Sequence, residues 1–419
     1  MRFKYYLNPV QIRFNLKFVM LCILIGLISV VFVKVVEYSY NVFLFLEPRL
    51  GWWLVVYVPA IMLIVIYLLR NYFPEAEGSG LPQVLAINYL PEEKINEIFN
   101  IKSIFSKILL ISLGTLCGGT LGREGATVQI GASLMNQLTP GATLQRRKAM
   151  LIVGAASGLA SAFNTPLGGI VFALEELVRV KRAQINMLKL AGIAISGIIS
   201  ISMLTNYSYF GRVARQLLFY DGQIFLAAVV VGILAGVGSL IFTRVVRLLM
   251  LDSNYISAWR KKNPYKNTII SGIIVALIGI ASHSLSFGNG YTESRLALDN
   301  QLVLPSSYVF FKMLSAIFTT NSGIPGGYFA TSLAIGNGIG GLAYHWLSWG
   351  NPQQFYLLGM VAFLAALTRA PITAIVMVIQ ISASQVFSLP LIVAALVATA
   401  CSGFGGKGIY EHQIAKITN

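Results

Sequence analysis

Apolar residues fall in long, uninterrupted runs along most of the chain. Charge-free runs of at least 20 residues occupy positions 50–69, 149–174, 190–211, 222–243 and 267–292. Because an α-helix needs roughly 20 apolar residues to cross a bilayer core about 30 Å thick, this pattern predicts several membrane-spanning helices.

Two further runs are too long for a single helix. Residues 313–368 contain 56 positions without a charge, and residues 370–406 contain 37. Each is expected to hold more than one helix, broken at Gly and Pro. Other apolar pieces, residues 108–122 and 301–311, are too short to cross alone. Interrupted helices are tolerated at membrane depth only where protein or a water-filled path covers the freed backbone, so the pattern favours a transporter or channel over a simple anchor.

Composition supports an integral membrane protein and excludes other classes. Of 419 residues, 56% are hydrophobic and 11% are charged, whereas a soluble domain carries about 25% charged residues. The net charge is +16, but the basic residues flank apolar runs, which indicates an anionic lipid surface rather than nucleic acid. Three cysteines without CxxC spacing and three scattered histidines predict no disulfide framework, metal, cofactor or enzymatic activity.

The chain also repeats itself internally. A shift of 205 residues superimposes Lys107 on Lys312, Gly122 on Gly327 and Pro166 on Pro371, and a shift of 210 superimposes Gly78-x-Gly80 on Gly288-x-Gly290. Apolar sequences match by chance, so coincidence of composition is the alternative. A constant offset that pairs Gly, Pro and Lys favours two related halves, which we place at residues 18–211 and 212–403. A segment at 1–17 precedes them, and a C-terminal helix at 404–419 follows.

Flanking charges indicate how the two halves are oriented. The first apolar helix begins beside a basic N-terminal cluster that includes Arg2 and Lys4, whereas its counterpart in the second half ends beside Arg244 and Arg247. Because basic flanks are cytoplasmic, the two helices are expected to cross in opposite senses, with a cytoplasmic N-terminus. The prediction is an inverted repeat, with a substrate site near the midplane where broken helices meet.

Few acidic residues remain at membrane depth, and Glu124 is the first of them. It lies in Gly122-Arg123-Glu124-Gly125, ahead of an uncharged stretch that reads as the start of a re-entrant helix. A helix start exposes free N–H groups and the positive end of the dipole, which together form an anion site. The Glu124 carboxylate can serve as that site's own anion. The alternative is an N-terminal helix acid neutralised by Arg123.

Glu175 and Glu176 form the second acidic feature, at the end of an apolar run. Adjacent positions on a helix point about 100° apart, so the two carboxylates cannot face the same partner. Two solvated acids at a helix end, beside Arg179 and Lys181, are the alternative to a functional role.

Four ordered motifs carry a family resemblance: Gly78-Ser79-Gly80-Leu81-Pro82, Gly122-Arg123-Glu124-Gly125, Gly327-Tyr328-Phe329-Ala330 and a late Tyr410. With them the sequence resembles the CLC family of chloride channels and chloride/proton antiporters over nearly its whole length. The resemblance implies an all-α polytopic fold made of two antiparallel halves with tilted, broken and re-entrant helices. It also implies a homodimer with one anion pathway per subunit. Only nine residues follow Tyr410, so no C-terminal regulatory domain is expected.

The resemblance assigns chloride ligands residue by residue. Ser79 resembles the hydroxyl that binds the central chloride, and Tyr410 resembles its second side-chain donor. Tyr328 and Phe329 resemble the positions whose backbone N–H groups face the same ion. Hydroxyls and helix-start N–H groups supply enough partial positive charge to replace water without trapping an anion.

The same resemblance assigns gating and proton roles. Glu124 resembles the glutamate that blocks the pathway when charged and moves away when protonated, and Glu176 resembles the inner proton acceptor of the antiporters. Lys107 and Arg123 add positive potential to the pathway. The alternative for Lys107 is a helix-end lysine that extends its ammonium to the membrane surface.

Two positions depart from the family pattern. Ala126 and Thr331 stand where the motifs around Glu124 and Tyr328 usually end in proline. Proline in the first turn of a helix fixes φ at no cost in hydrogen bonds. Its absence is expected to loosen the anion filter or to alter the movement of Glu124.

The function predicted is therefore exchange of chloride for protons across a bacterial inner membrane, in contact with membrane lipid. A carboxylate and a chloride about 4 Å apart repel by roughly 4 kcal/mol at an effective dielectric near 20, so chloride entry favours protonation of Glu124. A passive chloride channel is the first alternative, against which Glu176 argues. A relative selective for fluoride or nitrate is the second, against which Ser79 argues.

Overall fold

The computed structural model describes residues 9–139, 141–178, 186–204, 210, 213, 222–251 and 254–418, in which all the regular structure is helical. The first half contains α1 (Pro9–Leu50), α2 (Leu54–Asn71), α3 (Leu81–Leu85), α4 (Glu92–Ile98), α5 (Ile101–Leu116), α6 (Glu124–Asn136), α7 (Leu144–Phe163), α8 (Pro166–Val178) and α9 (Met187–Leu204). The second half contains α10 (Gly222–Met250), α11 (Tyr255–Lys262), α12 (Pro264–Ala281), α13 (Tyr291–Leu298), α14 (Tyr308–Asn321), α15 (Phe329–Leu347), α16 (Pro352–Thr368), α17 (Pro371–Ser382) and α18 (Ser388–Gly403), and α19 (Ile409–Thr418) follows.

Among the described residues, five helical segments are long and apolar enough to cross a membrane. They are Ile12–Asn71, Met187–Leu204, Gly222–Met250, Pro264–Ala281 and Gln385–Gly403. The pair α4 and α5 meets at a 44° bend and forms either a broken span or a re-entrant loop. The two long charge-free runs are each divided into shorter helices. The prediction of an all-α membrane protein with interrupted helices is thus confirmed.

The internal repeat is visible in the helix boundaries. Glu124 and Phe329, the first residues of α6 and α15, are 205 residues apart, as are the starts of α8 and α17. Gly122 and Gly327, also 205 apart, form an antiparallel bridge in which each N–H donates to the other's carbonyl at 2.8 Å. An antiparallel bridge between equivalent positions places a local two-fold axis between the halves, as expected for an inverted repeat.

The helices that follow this bridge are enclosed by protein. Every residue of α6 is buried. A Cβ atom on Gly131 would lie 2.1 Å from the Gly154 carbonyl oxygen, and one on Gly336 would lie 2.3 Å from that of Gly359. Only glycine permits this approach of α6 to α7 and of α15 to α16. Helix α6 and the first turns of α15 are therefore covered by protein, as interrupted helices in a bilayer must be.

The first and last helices can be compared with the predicted N-terminal and C-terminal segments. Helix α1 begins at Pro9, inside the predicted N-terminal segment, and its 42 residues span about 63 Å at 1.5 Å per residue. Residues 1–8 lie outside the described part of the chain, as do residues 211 and 212, where we divided the halves. Helix α19 begins at Ile409 and carries Tyr410 as its second residue.

Candidate functional site

The loop around Ser79 lies directly against the start of α6. Gly80 has a φ of +98°, and a Cβ atom there would lie 2.3 Å from the Gly125 carbonyl oxygen. A Cβ atom on Gly125 would lie 2.6 Å from the Ser79 carbonyl oxygen. Glycine at both positions therefore brings the two backbones into contact. The Ser79 hydroxyl is buried here, and among the described residues it has no hydrogen-bond partner.

Glu124 joins the starts of two helices. It is the first residue of α6 and is fully buried. Its Oε2 accepts a hydrogen bond of 3.4 Å from the backbone N–H of Ala330, the second residue of α15. Its Oε1 is buried without a hydrogen-bond partner in the described part of the chain. Free N–H groups at helix starts stabilise negative charge, so this carboxylate occupies a position suited to an anion.

Arg123 contacts a different part of the molecule. Its Nη1 lies 3.4 Å from the Val33 carbonyl oxygen and 3.9 Å from Oε1 of Glu37, both on α1. The guanidinium group is thus held against α1, while the adjacent Glu124 carboxylate is held against α15. The two neighbouring charges are anchored to separate elements.

The three aromatic residues of the predicted site meet where α15 and α19 approach each other. Tyr328 precedes the first turn of α15, and its ring centroid lies 6.3 Å from that of Tyr410. The Tyr328 hydroxyl accepts a hydrogen bond of 3.5 Å from Nε2 of Gln413. Phe329 packs its ring 5.9 Å from that of Phe163. The structure therefore gathers Tyr328, Phe329 and Tyr410 around the α15 start that also contacts Glu124.

Lys107 holds the loop that contains Ser79 through a hydrogen bond to its backbone. The side chain is fully buried, and Nζ donates to the Gly78 carbonyl oxygen at 2.7 Å. Lys312, its equivalent in the second half, donates to the carbonyl oxygen of Gly288 at 3.0 Å. An ammonium group held in this way does not reach the membrane surface, so the alternative of a surface-seeking lysine does not describe Lys107.

The structure describes the side chain of only one of the two adjacent acids of α8. Glu176 lies in α8, but its side chain falls outside the described residues. Glu175 accepts hydrogen bonds through Oε2 from the N–H of Thr373, at 2.9 Å, and from its hydroxyl, at 2.5 Å. Gln380, which the 205-residue offset pairs with Glu175, accepts from the N–H of Gly168 at 2.8 Å. Each helix thus caps the start of the other, and Glu175 is not a solvated acid.

A cavity of about 310 Å³ opens beside Ser79 and Tyr328; we call it the vestibule. Three cations, Lys94, Arg260 and Lys416, and three acids, Glu75, Glu77 and Glu97, line it. Arg260 is fixed by a hydrogen bond of 3.0 Å from Nε to the Asn321 carbonyl oxygen. Arg260 is not among the predicted site residues. It lies with Lys261 and Lys262 in a basic segment that follows the apolar run at 222–243, and this position was the sequence signal available for it.

Known proteins resemble this chain both in sequence and in fold. The family profile described as “Voltage gated chloride channel” matches residues 61–403. The H(+)/Cl(-) exchange transporter ClcA of Cronobacter sakazakii (strain ATCC BAA-894) is 30% identical over 395 residues, which cover 88% of this chain and 81% of that protein. A slow cyanobacterial Cl⁻/H⁺ antiporter superimposes with a TM-score of 0.81 at 22% identity, covering 98% of this chain and 99% of the other. A CLC-type fluoride/proton antiporter superimposes at 0.79 with 21% identity, covering 97% and 99%.

Proposed function

The chain belongs to the voltage-gated chloride channel family, and from this premise we propose that it exchanges chloride for protons across the membrane. Its relative at 30% identity is named as an H⁺/Cl⁻ exchanger, and the solved structures that share its fold include a chloride and a fluoride antiporter. We propose a homodimer in the bacterial inner membrane, with its N-terminus in the cytoplasm and one pathway in each subunit.

Chloride binds between Ser79, Tyr410 and the start of α15 in this proposal. The buried Ser79 hydroxyl, which has no hydrogen-bond partner in the described part of the chain, supports it, because a buried donor left unpaired costs about 1–3 kcal/mol. The backbone N–H groups of Tyr328 and Phe329 complete the ligand set. Neutral donors bind an anion while still allowing it to leave, as transport requires.

The single observation that carries the proposal is the position of the Glu124 carboxylate. It is buried and hydrogen-bonded to the Ala330 N–H at the start of α15, where a transported anion would seek the same donors. Carboxylate and chloride therefore compete. When Glu124 is charged it excludes the ion, and when it is protonated it releases the N–H groups to chloride. Lys107 and Arg123 add positive potential without neutralising the site.

Protons reach Glu124 from the cytoplasm through Glu176 in this mechanism. A proton that reaches Glu124 from the cytoplasm frees the site for chloride that enters from the opposite side. Glu124 then releases the proton to that opposite side, and its carboxylate returns to the site and displaces chloride to the cytoplasm, so each turnover moves the two ions in opposite directions.

The experiment that tests the proposal records chloride and pH together. Purified protein is reconstituted in liposomes, and an outward or inward chloride gradient is imposed without a pH gradient. Proton movement uphill and opposite to chloride is the expected result. Chloride flux with no proton movement would instead identify a passive channel. Repeating the measurement with fluoride and nitrate in place of chloride tests the remaining alternatives.

A further inference from the structure

A second cluster of cations lines a small pocket next to α19. The pocket has a volume of about 120 Å³, and four of its lining residues are basic: Arg244 and Arg247 of α10, Arg369 after α16, and Lys407 before α19. None of the described lining residues is acidic. Arg244 and Arg247 are three residues apart, so they share one face of α10. We call this the basic pocket.

The fold fixes the basic pocket around Arg369. This residue ends α16 with a φ of +57°. Its Nη2 donates to the carbonyl oxygens of Ser402, at 3.0 Å, and Gly406. A Cβ atom on Gly408 would lie 3.1 Å from its Cδ, so the loop before α19 packs directly on the arginine. The cation is therefore built into the fold rather than extended freely into solvent.

The lining of the basic pocket favours an anion. Glu411 lies 3.7 Å from Nη1 of Arg369 and accepts the Gly408 N–H at 2.9 Å. The described residues that line the pocket itself are four cations and no acid, so an anion inside it is attracted from several sides. Guanidinium groups bind the several oxygens of a phosphate through paired, charge-assisted hydrogen bonds. A phosphate group fits this charge and this set of donors.

The basic pocket lies at one end of a helix that can cross the membrane. Helix α10 is long and apolar enough for a span, and Arg247 lies in its last turn, where basic residues typically flank a span at the membrane–water boundary. Helix α10 continues from Arg247 to Met250, which lines the vestibule. The basic pocket and the vestibule therefore open on the same side of the membrane.

We propose that the basic pocket binds a phosphate group, either the headgroup of an anionic lipid or free inorganic phosphate, and thereby holds α19 in place. Helix α19 connects the two sites. His412 approaches Nη1 of Arg247 at 3.4 Å, and the next residue, Gln413, donates to the Tyr328 hydroxyl. An occupant of the pocket restrains the loop before Tyr410, and so it acts on chloride transport from a distance. The binding itself is independent of the transport function proposed above.

Binding is tested on the purified full chain in detergent. The midpoint of thermal unfolding, Tm, is measured against inorganic phosphate, with gluconate at equal ionic strength as reference. It is then measured against short-chain phosphatidylglycerol, with phosphatidylcholine as reference. A saturable rise in Tm with either probe is expected. The double variant Arg244→Gln/Lys407→Gln, which changes two exposed side chains, should raise the half-saturating concentration by about tenfold or more.

The matched control removes the same charge elsewhere. Lys262→Gln/Lys266→Gln changes two exposed cations outside the basic pocket and should bind like the native chain. A response to phosphate alone identifies free phosphate as sufficient, and a response only to phosphatidylglycerol identifies the lipid headgroup. No rise in Tm with either probe, or equal weakening in both double variants, would overturn the site.

The effect on transport is tested in vesicles. Chloride flux through the native chain should differ between phosphatidylcholine vesicles with and without phosphatidylglycerol, or with and without enclosed phosphate if free phosphate is the ligand. The difference should disappear in Arg244→Gln/Lys407→Gln and persist in the control. Equal responses in all three proteins would contradict the link through α19, whatever the binding result.

Discussion

Replacing Glu124 with glutamine removes one negative charge from the proposed chloride site while keeping the size of the side chain. Because Oε2 lies 3.4 Å from the Ala330 nitrogen, a chloride bound to that N–H would lie within about 4 Å of the carboxylate. Two unit charges at that distance repel by roughly 4 kcal/mol at an effective dielectric near 20. Full relief corresponds to about a thousandfold in affinity, and neighbouring dipoles offset part of it, so we expect Glu124→Gln to bind chloride at least about tenfold more tightly.

The effects of Glu124→Gln on chloride affinity and on ion transport are measured separately. Isothermal titration gives the chloride affinity, and liposomes loaded with a pH indicator give chloride and proton movement. The variant should transport chloride with little dependence on pH and move no protons. Glu37→Gln is the matched control, since it removes a carboxylate close to Arg123 but not from the α15 start. Coupled proton movement that survives in Glu124→Gln would refute the competition between carboxylate and chloride.

Three further variants test separate parts of the account. Ser79→Ala removes one hydrogen bond to a charged ligand, worth about 1.5–3 kcal/mol, and titration should show chloride affinity lowered by about tenfold or more; unchanged affinity would exclude the hydroxyl as a ligand. Lys107→Met leaves the Gly78 carbonyl oxygen without its ammonium donor, and thermal unfolding should show a loss of about 1–3 kcal/mol, with Lys312→Met showing a similar loss. Glu175→Ala removes the cap of α17 and should cost about 0.5–2 kcal/mol, whereas Glu175→Gln, which keeps an acceptor oxygen, should retain most of the stability; equal losses would argue against a capping role.

Sequence patterns anticipated the elements that depend on local rules. A constant offset of 205 residues predicted paired helix starts, and the structure has them at Glu124 and Phe329. Glycines flanking Glu124 predicted a tight backbone turn into a helix, and the turn is where the two halves hydrogen-bond. Ala126 and Thr331, which stand where the family pattern has proline, are each the third residue of their helix, α6 and α15. The effect of the missing prolines on gating stays a prediction.

The extent of α1 and the partners of Glu175 could not be predicted from the local sequence. Lys34 and Glu37 interrupt the apolar pattern of the first helix, yet the two side chains pair at 3.3 Å on an exposed face and α1 continues to Leu50. The hydrogen bonds of Glu175 could not be read from its neighbours, since Thr373 lies 198 residues away. The inverted repeat supplied the only sequence signal for this contact, through the pairing of Glu175 with Gln380.

Locating a bound halide directly is the most decisive measurement. Crystals of the native chain and of Glu124→Gln soaked in bromide would show the ion by its anomalous scattering. We expect bromide at the site formed by Ser79, Tyr410 and the start of α15 in Glu124→Gln, and clearly lower occupancy of that site in the native chain, whose carboxylate competes for the same donors. Bromide bound away from both helix starts, or the same occupancy pattern in the two proteins, would contradict a carboxylate and a halide sharing one site.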